Sequence, residues 1–157
     1  MASTAARTRW LDAAQQRDWR SFLLGSTRLF ERLDRDLREQ HALSLPEYEI
    51  LVRLSESCDR RLRMAELASS VSHSRSRVTH TVSRLEAAGL VSRTACETDG
   101  RGVVAVLTDT GFARLVEAAK THVEGVRRYL VDPAHPADLT AMGRVFDASA
   151  RAVDASG

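Results

Sequence analysis

"SHSRSRVTHTVSRLEAAGLV", residues 72–91, changes character halfway along. The first half holds arginines, hydroxyls and histidines and no carboxylate. The second half is an amphipathic helix that closes at Gly89, where a left-handed C-cap belongs. Stepping about 100° per residue from Ser74 puts Val78, Val82 and Leu85 on one face, ready for a core. Opposite them fall Ser76, His80 and Ser83, with Arg77 and Arg84 on one flank and Thr79 on the other. Helix starts ordinarily favour Asp or Glu beside the positive end of the dipole. A helix start with none suits a surface that approaches a polyanion.

The neighbours give this helix a setting. Met64, Leu67, Ala68 and Val71 form an apolar stripe over two turns, and "SHS" separates it from the helix that follows. A short helix, a tight turn and a longer helix make the spacing of a helix-turn-helix. After Gly89 the β-prone segments "LVSRTAC" and "VVAVL" flank "ETDGRG", which reads as a hairpin with a long, charged loop. Arg101 then stands at a tip between Gly100 and Gly102, and a narrow minor groove attracts such a guanidinium. Asp99 fits there as a partner that orients an arginine. "RRLR", residues 60–63, is a linker or a short strand.

Further out the chain is helical. "DAAQ" at Asp12 has capping-box spacing, and the helix after it runs to about Glu39. Trp19, Leu23, Ser26, Phe30, Leu33 and Leu37 step along it as a heptad-like seam that Phe22 and Leu29 broaden. "SLPE" at Ser44 is a second capping box, with Pro46 in the first turn. Thr108 is an N-cap for a helix whose apolar face carries Phe112, Leu115, Val116, Ala119, Val123, Val126 and Leu130. "DPAHPAD" breaks it, and a last helix from about Pro136 shows Leu139, Met142, Phe146, Ala150 and Val153. The outer helices carry more apolar seam than a small central module covers, which points to pairing across a subunit interface.

The bulk numbers agree with one domain over 1–157. The length buries a real core, and 43% hydrophobic with 28% charged residues is globular rather than disordered. A net charge of +2 does not by itself announce nucleic acid, but its distribution does more. From Arg60 to Leu107 eight arginines face four carboxylates, a local +4, which leaves −2 for the remainder. Lys120 is the one lysine. Cys58 and Cys96 have no paired spacing, the first ten residues lack an apolar signal core, and no stretch approaches a membrane span. A cytoplasmic protein is expected. The five histidines and two cysteines lack metal-ligand spacing, and there is no nucleophile elbow, phosphate loop or acid pair. No enzyme, metal or cofactor is expected.

Residues 67–93, "LASSVSHSRSRVTHTVSRLEAAGLVSR", followed by "TDGRG" and "VLTDTG", resemble a MarR-family winged-helix transcription regulator. With the helical order around them the likeness spans most of the chain, and the motif segment about a third of it. The resemblance implies a mostly α fold with a small β-hairpin wing (α+β): a winged helix-turn-helix core at 45–107 between dimerisation helices at 12–40 and 108–154. It implies a homodimer on pseudo-palindromic double-stranded DNA. The recognition helix, about 74–88, would lie in the major groove and the wing, about 96–102, in the minor groove. Family DNA-contacting positions fall on Ser74, Arg75, Ser76, Arg77, Thr79, His80 and Arg84, with Arg101 as wing arginine and Asp99 as its orienting acid. Gly100 stands where members often have a second arginine. Members typically repress, and leave DNA when a small, often aromatic, molecule enters a cleft. Trp19, His41, Tyr48 and Phe112, near helix junctions, are candidates to wall such a guest. Two alternatives stand beside this reading. One is thiol-oxidation sensing through Cys96, beside Arg93 and Arg101; the other is a winged helix that serves as a protein-interaction module.

Overall fold

A computed structural model describes residues 8–71, 74–96 and 99–156, with the side chains of residues 96 and 99–101 outside the description. The chain order is α1 (Ala13–His41), α2 (Leu45–Glu56), β1 (Arg61–Arg63), α3 (Met64–Ser70), α4 (Arg75–Ala87), β2 (Val91–Cys96), β3 (Asp99–Leu107), α5 (Asp109–Val126) and α6 (Pro136–Asp154). It is the expected mostly α winged helix-turn-helix. Both capping boxes form: Asp12 and Gln15 exchange bonds at 2.8 and 3.0 Å, and the Glu47 carboxylate takes the Ser44 N–H at 2.7 Å. α1 runs two residues past the expected end and stops at Ala42, whose φ of 54° is left-handed.

The core gathers the inward faces of the short helices around the root of the sheet. Ile50, Leu51 and Leu54 of α2, Leu67 of α3, Val78, Val82 and Leu85 of α4, and Leu115 and Ala118 of α5 are all buried. Leu37 of α1 joins them. The sheet is three-stranded, in order β1-β3-β2, so the hairpin gains a third strand. "RRLR" supplies it: Arg61, Leu62 and Arg63 pair antiparallel with Val106, Ala105 and Val104. The long loop expected at "ETDGRG" is shorter than its composition implies. Ala95 pairs with Val103 and Cys96 with Asp99, so the register shifts between them and Gly100, Arg101 and Gly102 of β3 fall in the irregularity.

The joint between α4, the sheet and α5 is tightly built. Gly89, at φ 71°, closes α4 with a Schellman pair: its N–H reaches the Glu86 carbonyl at 2.9 Å and the Leu90 N–H reaches Leu85 at 2.9 Å. The Leu90 carbonyl then accepts the Thr108 N–H at 3.1 Å. Thr108 donates its hydroxyl to Gly89 at 2.8 Å and accepts the Gly111 N–H at 2.9 Å. Gly111 lies so close that an added Cβ would sit 2.0 Å from the Leu90 carbonyl oxygen.

The face of α5 differs from its expected stripe. Gly111, Leu115, Ala118 and Gly125 are buried, whereas Val116 and Val123 are exposed. The reason is proximity. A Cβ on Gly125 would stand 2.7 Å from Leu33 Cδ2 of α1, so small residues, not the largest aliphatics, fill the contact. Past α5, Arg127–Val131 form a π-turn, with the Asp132 N–H bonded to the Arg127 carbonyl at 2.8 Å. The break expected at "DPAHPAD" follows that turn.

Gly111→Ala should therefore destabilise the fold by about 1–3 kcal/mol, since a backbone atom blocks the new methyl. Gly25→Ala, which meets nothing within 4 Å, is the control and should gain helix propensity. Thermal unfolding of both variants checks the pair.

Candidate nucleic-acid interface and the cleft beside it

α4 turns its expected faces the expected way. Val78, Val82 and Leu85 are buried, while Ser74, Arg75, Ser76, Arg77, Thr79, His80 and Arg84 are exposed. The first turn carries no acid, and the Ser74 hydroxyl caps it by accepting the Arg77 N–H at 3.4 Å. Thr79 donates its hydroxyl hydrogen back to the Arg75 carbonyl at 2.9 Å, and Ser83 does the same to Thr79 at 3.0 Å. Their outward lone pairs are thereby acceptors, while the arginines are donors only. The face thus offers both hydrogen-bond polarities without a carboxylate, which is what base edges and phosphates require of a reader.

Two arginines of this region are tied inward. Arg84, which the resemblance counts among the DNA-contacting positions, has Nη2 3.1 Å from Glu47 Oε1 of α2 while its side chain stays half exposed. Arg93 holds Glu86 at the end of α4 through its backbone N–H at 3.2 Å and its Nε at 2.9 Å. That side-chain bond keeps the Glu86 carboxyl below its usual range. The side chain of Cys96 lies outside the described residues. The side chains of Asp99 and Arg101 lie outside them too; their backbone opens β3.

Among the described residues, neither the groove at His41 nor the cleft at Tyr48 is lined by all four candidate ligand residues. Trp19 is exposed on α1 and leans on Phe22, their ring centres 5.5 Å apart. His41 Nε2 meets Thr121 Oγ1 at 2.7 Å and faces a separate groove with Arg38 and Arg114. Phe112 lies under the Arg60 guanidinium, 3.8 Å from its carbon, and Arg60 also pairs with Asp109 at 3.3 Å. Tyr48 alone lines the cleft between α1, α2, α4 and α5, a cavity of about 780 Å³ with Phe30, Pro46, Val52, Arg77 and His122. Arg53 and Glu56, 3.6 Å apart, and Glu49 complete its wall.

His122 and Phe30 were not candidates. His122 stacks on Tyr48 with ring centres 4.6 Å apart, and its buried Nδ1 has no hydrogen-bond partner. No local pattern marks it; only the approach of α5 to α2 makes the pair. Phe30 belongs to the α1 seam and is exposed beside the cleft, one turn before the buried Leu33. Burial pushes the His122 pKa down, and burial, then Glu56, push that of Tyr48 up, so both rings are neutral near pH 7.

The sequence and this architecture place the chain among known proteins. A family model for MarR matches residues 43–103. Sco3205, a MarR family transcriptional regulator from Streptomyces coelicolor solved in complex with DNA, is 39% identical, with a TM-score of 0.90. The alignment covers 94% of this chain and 92% of Sco3205. The chain belongs to the MarR family. AbsC, another MarR family transcriptional regulator of S. coelicolor, is 40% identical with a TM-score of 0.88, covering 94% of this chain and 99% of AbsC. No curated protein matches. Among the described residues of this MarR-family chain no helix is long and apolar enough to cross a membrane, and no cluster of His, Cys, Asp or Glu is arranged to hold a metal.

Because the fold resists protonating His122 while the unfolded chain does not, the sign of its pH effect is fixed. Its contribution is whole above the ordinary value of 6.5 and declines as pH falls below it, where the unfolded state gains the proton first. His122→Phe keeps the stacking ring and removes the titration. Unfolding temperature plotted against pH should fall less steeply below about 6.5 in the variant; parallel curves would refute the assignment.

Proposed function

We propose that the chain is a homodimeric, sequence-specific binder of double-stranded DNA that represses transcription by occluding a promoter and is released when a small apolar or aromatic molecule enters the cleft at Tyr48. In this reading residues 45–107 form the DNA-binding region, and 12–40 with 108–154 form the dimerisation region. The observation that carries it is the acid-free outward face of α4, held in one orientation by three buried aliphatics. Ser74 and the first-turn N–H groups take phosphate; Arg75, Ser76, Arg77, Thr79 and His80 address base edges and the groove wall. Arg101, aimed by Asp99, enters the minor groove. That Sco3205 was solved in complex with DNA supports DNA binding by this chain.

Dimerisation accounts for the apolar surface left open. Trp19, Leu23 and Phe30 on α1 and Val145, Phe146 and Val153 on α6 are exposed, and α6 buries no residue of its own. Phe22 and Phe146, 5.3 Å apart, bring the two sets together into one patch. A patch of this kind on a soluble chain marks a partner surface, and a two-fold axis covers it with its own copy.

Release follows from shared walls. Arg77 lines the cleft and also opens the outward face of α4. A guest that stacks on Tyr48 changes what Arg77 and α4 can do, provided it binds the DNA-free arrangement more tightly. His122 lines the same cleft, and its buried Nδ1 has no hydrogen-bond partner.

Selection of bound duplexes from a random pool by the purified chain tests the core of this reading. It should recover two related half-sites about one helical turn apart, with affinity that falls steeply as salt rises. Arg77→Ala should relax the preferred base at one position per half-site, at a cost of about 1–3 kcal/mol. Arg101→Ala should weaken all sequences alike. Recovery of no enriched sequence would overturn the proposal.

A further inference from the structure

Glu47 is buried to 5% exposure at the start of α2, yet it is a carboxylate, and each of its oxygens is committed. Oε2 accepts the Ser44 N–H and the Ser44 hydroxyl, both at 2.7 Å. Oε1 faces Arg84 Nη2 at 3.1 Å. Two residues before Glu47, the Leu45 N–H donates to Asp34 Oδ1 at 2.7 Å, and Arg38 Nε holds the other oxygen of Asp34 at 2.6 Å. Burial raises the Asp34 pKa, but the bonds from Arg38 and Leu45 outweigh it and hold the carboxyl below its usual range. Two ion pairs, Arg38–Asp34 on α1 and Arg84–Glu47 between α4 and α2, thus meet at the start of α2, where the Leu45 N–H holds one carboxylate and the Ser44 N–H the other.

A buried carboxylate cannot release its cation cheaply. The uncompensated charge would have to be desolvated alone, so the pair holds its geometry more firmly than a surface bridge does. Arg84 sits one turn from the end of α4, and its positive charge ties that end to α2 through the contact with Glu47. The aliphatic face sets how α4 is rotated about its axis; it does not by itself fix how far the far end swings along the groove.

We propose that Arg84 is a positioning residue: anchored on buried Glu47, it fixes the angle of the recognition helix to the α1–α2 frame and makes no DNA contact of its own. The inference rests on α4 being the recognition helix. It also gives Glu47, a residue remote from the outward face, a part in DNA binding.

Arg84→Met, Glu47→Gln and the double variant, each as the full-length chain, test it on the duplex recovered by selection. Each single change should weaken binding about tenfold, and the double should be no weaker than the worse single, because both remove one link. The dependence of log affinity on log salt should keep the wild-type slope in all three, and Arg84→Lys should recover much of the loss. A direct phosphate contact by Arg84 would instead flatten the slope by about one in Arg84→Met and make the double additive, which overturns the inference. Should Glu47→Gln fail to fold, the slope and the lysine rescue at half-exposed Arg84 decide alone. If the wild-type chain enriches no duplex, the recognition-helix reading falls and this inference with it; if wild type binds and the cycle is additive, only the inference falls.

Discussion

Everything exposed on α4 depends on what α4 hides. Val78, Val82 and Leu85 are almost wholly out of water, and burying an aliphatic side chain of this size is favourable by about 1.5–3 kcal/mol each. Turning the helix by one residue would expose part of that surface and drive arginines or serines into Ile50, Leu51 and Leu67. The helix therefore has one rotation, and the residues between the aliphatics have one direction to face. The hydrophobic cost of misrotation, rather than any bond made by the polar side chains, keeps Ser76, Arg77 and His80 in solvent.

The wing inherits its position from the same helix. α4 ends at Gly89 in a left-handed turn that only glycine enters without strain, and the carbonyls of Gly89 and Leu90 are then taken by Thr108 before α5 starts. Arg93 on β2 is bonded back to Glu86 on α4. The root of the sheet thus cannot move independently of the helix it follows. Toward the other end of the chain, the small residues of α5 bring it against Leu33 of α1, and His122 against Tyr48 of α2. The described contacts tie α4 to the root of the sheet, and the cleft lies where α4 and α2 meet α1 and α5.

Much of this was legible because it is local. Capping boxes at Asp12 and Ser44 involve residues three apart, and the Gly89 cap and the α4 faces follow from a period that the sequence displays. Other features carried no such signal. The three residues of β1 are too few for a pattern and become a strand only because β3 has a free edge. On α5 two apolar stripes compete, and the nearness of α1 selected Ala118 and Gly125 over Val116 and Val123. Phe112 looked like a wall for an aromatic guest, but Arg60 had already covered its ring.

The amino-acid order by itself determined the helix periods, their caps, the turn at Gly89 and the absence of acid from the start of α4, since each arises from neighbours within a turn of one another. Only the tertiary structure decided that Arg84 reaches Glu47, that Tyr48 meets His122, and that Trp19 and Phe112 lie apart. Those pairings join residues tens of positions distant. They are chosen by how whole helices pack, and no stretch of chain contains that information alone.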